Sequence, residues 1–188
     1  MPDPIWTNQY SFSQTPEQNG FTRILYDAPL LTIQTTGPTA NRRVEINSDA
    51  GSAVFQISNV PSLTTLLGAT AEIIAAISGP GNAGIELTFQ DRYFGVQVYE
   101  NRITVAVDDG QGPHEVAAGQ SNSGNTTIRV TVSPDFTLRV YRAGVLVDTR
   151  ALPGTEKPLP RVLFWGEEGG TQIFRTLRYY IGGPVAPG

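Results

Sequence analysis

The 188-residue chain has no cysteine, which removes disulfides, thiolate metal sites and cysteine nucleophiles together. Histidine is nearly as scarce. His114 stands alone beside the Gly112-Pro113 turn, and a catalytic triad or dyad would have to recruit it; a satisfied loop histidine is the stronger reading. Zinc and copper lose their usual ligands for the same reason. Charge of either sign is sparse at 16% of residues, and the 13 basic residues are dispersed in a chain of net charge -4 and pI near 5.0. A phosphate backbone would find no basic footprint here, so nucleic acid is not an expected partner. Lys157 is the sole lysine and the other 12 basic residues are arginine, a bias that genome base composition explains better than a demand for guanidinium chemistry.

No stretch reaches the roughly 20 apolar residues needed to span a bilayer, so no membrane insertion is expected. Residues 1–10 show no basic start followed by an apolar run, so no signal peptide is read there. Two origins remain open: a product made without export, such as a virion component, or a mature domain cut from a longer secreted chain. The expected location is extracellular or virion-associated.

What the chain does have is a hydrophobic content of 39%, with 20 Gly and 14 Pro spread along its length, which suits many short strands joined by tight turns. Period-2 alternation is clearest in the middle. In NAGIELTFQD, Ile85, Leu87 and Phe89 face one way and Glu86, Thr88 and Gln90 the other. The pattern continues through Val96 and Val98, turns at Glu100 and Asn101, and resumes at Ile103, Val105 and Val107. It returns at Ile128, Val130 and Val132, and after a turn at Ser133-Pro134-Asp135 at Phe136, Leu138 and Val140. Upstream, PIWTNQYSFS, FTRILYD, LLTIQTT, RRVEINS and AVFQISN supply about five more strands. The one helix-like stretch, Leu63 to Ile77, is broken by Gly68 and reads as a short helical turn over 62–67 followed by a strand. The expected fold is an all-β, antiparallel two-sheet sandwich, with residues 1–183 as one domain and 184–188 as a tail.

Three stretches carry a resemblance to a known family: NAGIELTFQDRYFGVQVYENRITVAVDD, TTIRVTVSPDFTLRVYRAGVLVDTRALP and VLFWGEEGGTQIFRTLRYYIGG. Their order resembles the concanavalin A-like lectin/glucanase jelly roll, especially its laminin-G-like branch, over about residues 69–183. The resemblance implies a closing strand FRTLRYYIGG that pairs with the segment from Ile5 to Phe12. It also implies a family of lectins, carbohydrate-binding modules, glucanases, adhesion modules and spacer domains, among which fold alone does not choose.

Chemistry narrows the choice. The family's glucanases need paired carboxylates on one strand face, and none is present: Glu72, Glu86, Glu100 and Asp148 each lack an acidic neighbour two residues away. The chain is therefore read as a non-enzyme, with a glycoside hydrolase ranked last. Outward positions of the central strands mix amide, guanidinium and phenol groups, and Gln90, Gln97, Tyr99, Arg139 and Tyr141, with Trp165 as a rim, form the candidate ligand-binding face for a glycan or polysaccharide. A plain half-solvated sheet surface would show the same residues, and Trp165 could equally be a core anchor. Calcium is the only cofactor considered, with Asp108 and Asp109 as its candidate ligands, although Asp-Asp-Gly is also an ordinary turn. The alternative function is a structural, assembly or adhesion domain that meets other protein subunits through its PDPIW and PVAPG ends.

Overall fold

Alternation of apolar and polar residues forces each strand to bury one side, and a computed structural model, which describes residues 6–10, 14–57, 68–89, 92–107, 113–151 and 161–187, shows how the chain meets that demand. Its strands are β1 (Asn8–Tyr10), β2 (Thr22–Tyr26), β3 (Leu30–Gln34), β4 (Arg43–Asn47), β5 (Ser52–Ile57), β6 (Ala69–Ser78), β7 (Asn82–Phe89) and β8 (Arg92–Tyr99). They continue as β9 (Arg102–Val107), β10 (His114–Ala118), β11 (Thr126–Val132), β12 (Thr137–Arg142), β13 (Val145–Ala151), β14 (Arg161–Glu167) and β15 (Thr171–Ile181). One sheet of eight strands runs β13-β12-β11-β6-β15-β4-β3 with β1 also on β15, and a second of seven runs β10-β9-β8-β7-β14-β5-β2. Every pairing is antiparallel. The expected two-sheet sandwich is the observed fold. The strand read after Gly68 is β6; the helical turn read over 62–67 lies outside the described residues.

The core lies between the sheets. Ile73, Ile77, Ile128, Val130 and Phe174 from one sheet meet Ile85, Val96, Ile103, Phe55 and Phe164 from the other, all fully buried. Tyr10, Phe21 and Phe164 form an aromatic run across the layers, with ring centroids 5.6 and 6.0 Å apart. The closing strand does pair with the N-terminal segment: Asn8, Gln9 and Tyr10 sit opposite Tyr179, Arg178 and Leu177. A register shift between Phe174 and Thr176 lets β15 exchange β4 for β1 as its neighbour on one side while keeping β6 on the other.

The outer face of the eight-stranded sheet is not open. Thr70, Glu72, Arg129 and Thr131 point away from the core, yet all are at least nine-tenths buried. Glu72 accepts from Arg129 Nε at 2.6 Å and from Arg178 Nε at 2.7 Å, so one carboxylate on β6 ties together the strands on either side of it. Trp6 caps this clamp, with the Arg178 and Arg129 guanidinium carbons 4.1 and 5.3 Å from its ring centroid. Residues 182–185 cross the same face: Thr70 Oγ1 donates to the Gly183 carbonyl and accepts from Val185 N–H, both at 2.9 Å. The two ends, read from sequence as reaching a neighbour, are in these residues folded onto their own sheet.

Removing one member of a buried ion cluster leaves uncompensated charge, at a cost of about 3–5 kcal/mol, whereas an exposed pair contributes about 0–1 kcal/mol. Glu72→Ala is expected to lose stability in the first range and Glu45→Ala, which breaks the surface pair with Arg43, in the second. Equal urea midpoints for the two variants would show that the clamp is not a main support of the fold.

Candidate functional site

Strand order divides the sequence-selected residues. Gln97 and Tyr99 on β8 and Trp165 on β14 belong to the seven-stranded sheet, while Arg139 and Tyr141 on β12 belong to the eight-stranded one. All five point outward, so they occupy opposite faces of the sandwich and do not form one surface. The physical reason is that hairpins β7-β8 and β11-β12 show the same alternation while belonging to different sheets. Gln90, Asp108 and Asp109 lie outside the described residues. Among the described residues no group of three or more His, Asp or Glu could hold a metal ion.

On the seven-stranded sheet, Trp165 lies opposite Gly84, which lies opposite Gln97. A Cβ at Gly84 would overlap the indole, and one at Gly95 would come within 3.3 Å of it, so the ring lies flat across a track of two glycines. Its Nε1 donates to Asn82 Oδ1 at 3.0 Å and to Glu167 Oε1 at 2.9 Å. Asn82 Nδ2 and the Tyr99 hydroxyl in turn donate to Glu168 Oε2 at 3.0 and 3.2 Å. Glu168 reaches that position because its backbone sits at φ 67°, an uncommon value for a residue with a side chain, in a turn continued by Gly169 and Gly170. Trp165 and Tyr99 are only 9% exposed, and Thr104 Oγ1 donates to Gln97 Oε1 at 2.9 Å. The sheet face is a closed network, and neither ring is a bare stacking platform.

Carboxylates do come together here, although they sit side by side in a strand-end turn. Glu167 and Glu168 line a shallow cavity of about 380 Å³ with Asp27 and Asp49. Burial first, and the charge of Glu168 second, push the Glu167 carboxyl above its usual range, against the lowering effect of its hydrogen bonds with Trp165 and Asn82.

The open space is at the end of the sheet. The β6-β7 turn (Gly79, Pro80), the β8-β9 turn (Tyr99 to Arg102) and the β10-β11 connection (Gly119, Ser121) enclose a cavity of about 670 Å³. The Arg102 guanidinium lies over the Tyr99 ring, 3.9 Å from its centroid. Glu100 Oε2 accepts from Gly79 N–H at 3.2 Å, and Asn122, whose amide donates to the Tyr99 carbonyl at 2.7 Å, anchors the connection. Burial first, then the Glu168 charge, raise the Tyr99 hydroxyl pKa, while Arg102 works in the opposite direction. Tyr99 is the one sequence-selected residue that lines this cavity. Glu100 and Asn101 were read from sequence as a hairpin turn, Glu100 also as a lone carboxylate, and Arg102 was not singled out.

This architecture is a two-sheet antiparallel β-sandwich of galectin-like fold. No protein-family model matches the chain, and no curated protein matches it in sequence. Among solved structures it is similar to a Bacillus subtilis protein of unknown function with a galectin-like fold (TM-score 0.70, 6% identity, covering 98% of this chain and 99% of that one). It is also similar to the Emp47p carbohydrate recognition domain (TM-score 0.61, 12% identity, 88% and 89% covered). A third is the carbohydrate esterase vb_24B_21 from the Shiga toxin-encoding bacteriophage phi24B (TM-score 0.61, 9% identity, 93% and 97% covered). At these identities the likeness is one of fold. No helix among the described residues is long and apolar enough to cross a membrane.

A carboxyl whose folded-state pKa is raised costs stability above its unfolded pKa, and the cost is relieved as pH falls through the folded value. Glu167→Gln keeps an acceptor for the indole and removes the charge. The variant is expected to melt above the wild type at about pH 7, with the gap closing by about pH 4. A gap that widens on acidification would overturn this account of Glu167.

Proposed function

We propose that the chain is a non-catalytic carbohydrate-binding module of the concanavalin A-like, laminin-G-like kind, acting in an extracellular or virion-associated setting. Its ligand would enter the cavity at the end of the seven-stranded sheet, not the flat of the sheet. The observation that carries this reading is the 670 Å³ opening that gathers Glu100, Asn101, Arg102 and Ser121, a carboxylate, an amide, a guanidinium and a hydroxyl, beside the Tyr99 ring and Pro80. Sugar hydroxyls need donors and acceptors together, and a volume between about 300 and 1,000 Å³ suits a small ligand. The Emp47p likeness supports it as a matter of fold. Against catalysis, Glu167 is bound to Trp165, Glu168 is held by Asn82 and Tyr99, and His114 lines neither cavity.

A polysaccharide pull-down followed by titration calorimetry tests this. Asn101→Ala and Ser121→Ala should each weaken binding about 3- to 10-fold, the loss of one net hydrogen bond of about 1 kcal/mol. Binding lost in Tyr141→Ala but kept in both of those variants would move the site to the other face. Release of sugar or acyl product by the wild type would replace the binding reading with an enzymatic one.

A second reading, an assembly domain, draws on Leu25, Tyr26 and Leu30, which are 46%, 51% and 65% exposed around the edge strands β2 and β3. β3 carries no charged residue to discourage pairing, and the partner it fits is the edge strand of a second copy. Light scattering at high concentration should then give the mass of two chains, reduced to one by Leu30→Lys. A one-chain mass for the wild type would remove this reading.

A further inference from the structure

We propose that Arg102 makes the end cavity selective for sugars that bear a carboxylate, such as uronates and sialic acids, over their neutral counterparts. The inference rests on the carbohydrate-binding reading of the same cavity and adds the chemical class of its ligand.

The cations of this chain are mostly spoken for. Arg23 pairs with Glu17, Arg43 with Glu45, Arg150 with Asp148, and Arg129 and Arg178 with Glu72. Arg139 donates to Ser133 Oγ at 2.8 Å and Arg142 to Asn122 Oδ1 at 2.8 Å. Arg102 differs. It opens β9 directly after the Glu100-Asn101 turn, is half-buried, and among the described residues forms no ion pair. What fixes it is the Tyr99 ring beneath it.

A guanidinium laid on an aromatic ring keeps its charge and, above all, its geometry. Its N–H donors lie in one plane, and stacking restrains the side chain before any ligand arrives, so less rotamer freedom is lost on binding. A carboxylate is the group that such a fork engages with two parallel hydrogen bonds. The other lining groups suit the remainder of a sugar. One oxygen of Glu100 is committed to Gly79 N–H, the Asn101 amide can donate and accept, and Ser121 lines the same cavity. Glu168 accepts from the Tyr99 hydroxyl and, among the described residues, forms no ion pair with Arg102.

The chain's net charge of -4 opposes an acidic ligand at long range. That field is screened beyond about 8 Å at physiological ionic strength, whereas a direct fork contact is not, so the selectivity is local and appears in the dissociation rate.

The test uses two matched ligand pairs on the full chain: oligogalacturonate against its methyl ester, and sialyllactose against lactose. Titration calorimetry should give at least about tenfold tighter binding for the acidic member of one pair. Arg102→Gln should abolish that preference, bringing the two members of the pair to equal affinity, and Arg102→Lys should restore part of it. A thermal melt of each variant separates a lost contact from a lost fold. Equal wild-type binding of acidic and neutral members, or a preference that survives Arg102→Gln, overturns the inference and leaves the carbohydrate-binding reading in place. Absence of binding by all four sugars and by a wider neutral panel overturns both.

Discussion

A single buried carboxylate governs which parts of this sandwich remain available. Glu72 stands on β6, with β11 on one side and β15 on the other, and receives an arginine from each. Burying three charges is costly, and the geometry that makes it tolerable also fixes the register of three strands. Trp6 can lie over the two guanidinium groups because the clamp holds them in place, and the chain from Gly182 to Val185 runs across the same face. The outer surface of the eight-stranded sheet over β6, β11 and β15 is thereby occupied by its own chain.

The other outer face is closed by a different device. Gly84 and Gly95 lack the side chains that would lift Trp165 off the sheet, so the indole lies flat and its N–H reaches Asn82 and Glu167. Each polar group in that row satisfies another one: Thr104 with Gln97, and Asn82 and Tyr99 with Glu168. A network satisfied internally gains little by accepting a ligand, since every new hydrogen bond replaces an existing one. The larger open space lies instead at the strand ends, where backbone geometry releases side chains from alternation and loops position them on a rigid scaffold.

This division explains what could be read from sequence. Alternation in NAGIELTFQD and TTIRVTV identified β7 and β11, and the turn at Ser133-Pro134-Asp135 was read correctly as the hairpin into β12. Alternation says that a strand has an inner and an outer side; it says nothing about which sheet the strand joins, because sheet membership depends on contacts between residues far apart in the chain. Arg139 and Tyr141 were grouped with Gln97 and Tyr99 on that account. Trp165 had two sequence readings, rim or core, and the structure meets neither: it faces outward, yet Gly84 and Gly95 let it sink to 9% exposure. A glycine two strands away was the signal, and only strand register could reveal it. The Glu167-Glu168 pair was visible as a dipeptide but not as a network, because Glu168 is aimed by a left-handed backbone.

Fold likeness to both a carbohydrate recognition domain and a carbohydrate esterase leaves the chemistry to the site. The commitments of the side chains bear on that chemistry. A hydrolytic site holds a base, acid or nucleophile poised for protons or bonds to be exchanged, and so keeps such a group free toward the substrate. Here Glu167, the carboxyl that burial pushes up, is tied to an indole, Glu168 beside it is tied to an amide and a phenol, and their cavity is the smaller and shallower one. The larger cavity holds the reverse combination: a carboxylate with one oxygen engaged by a backbone N–H, and a cation stacked on an aromatic ring with no ion-pair partner among the described residues. Groups of that kind can hold a polar ligand in one orientation, whereas bond cleavage would ask one of them to exchange a proton or a bond with it.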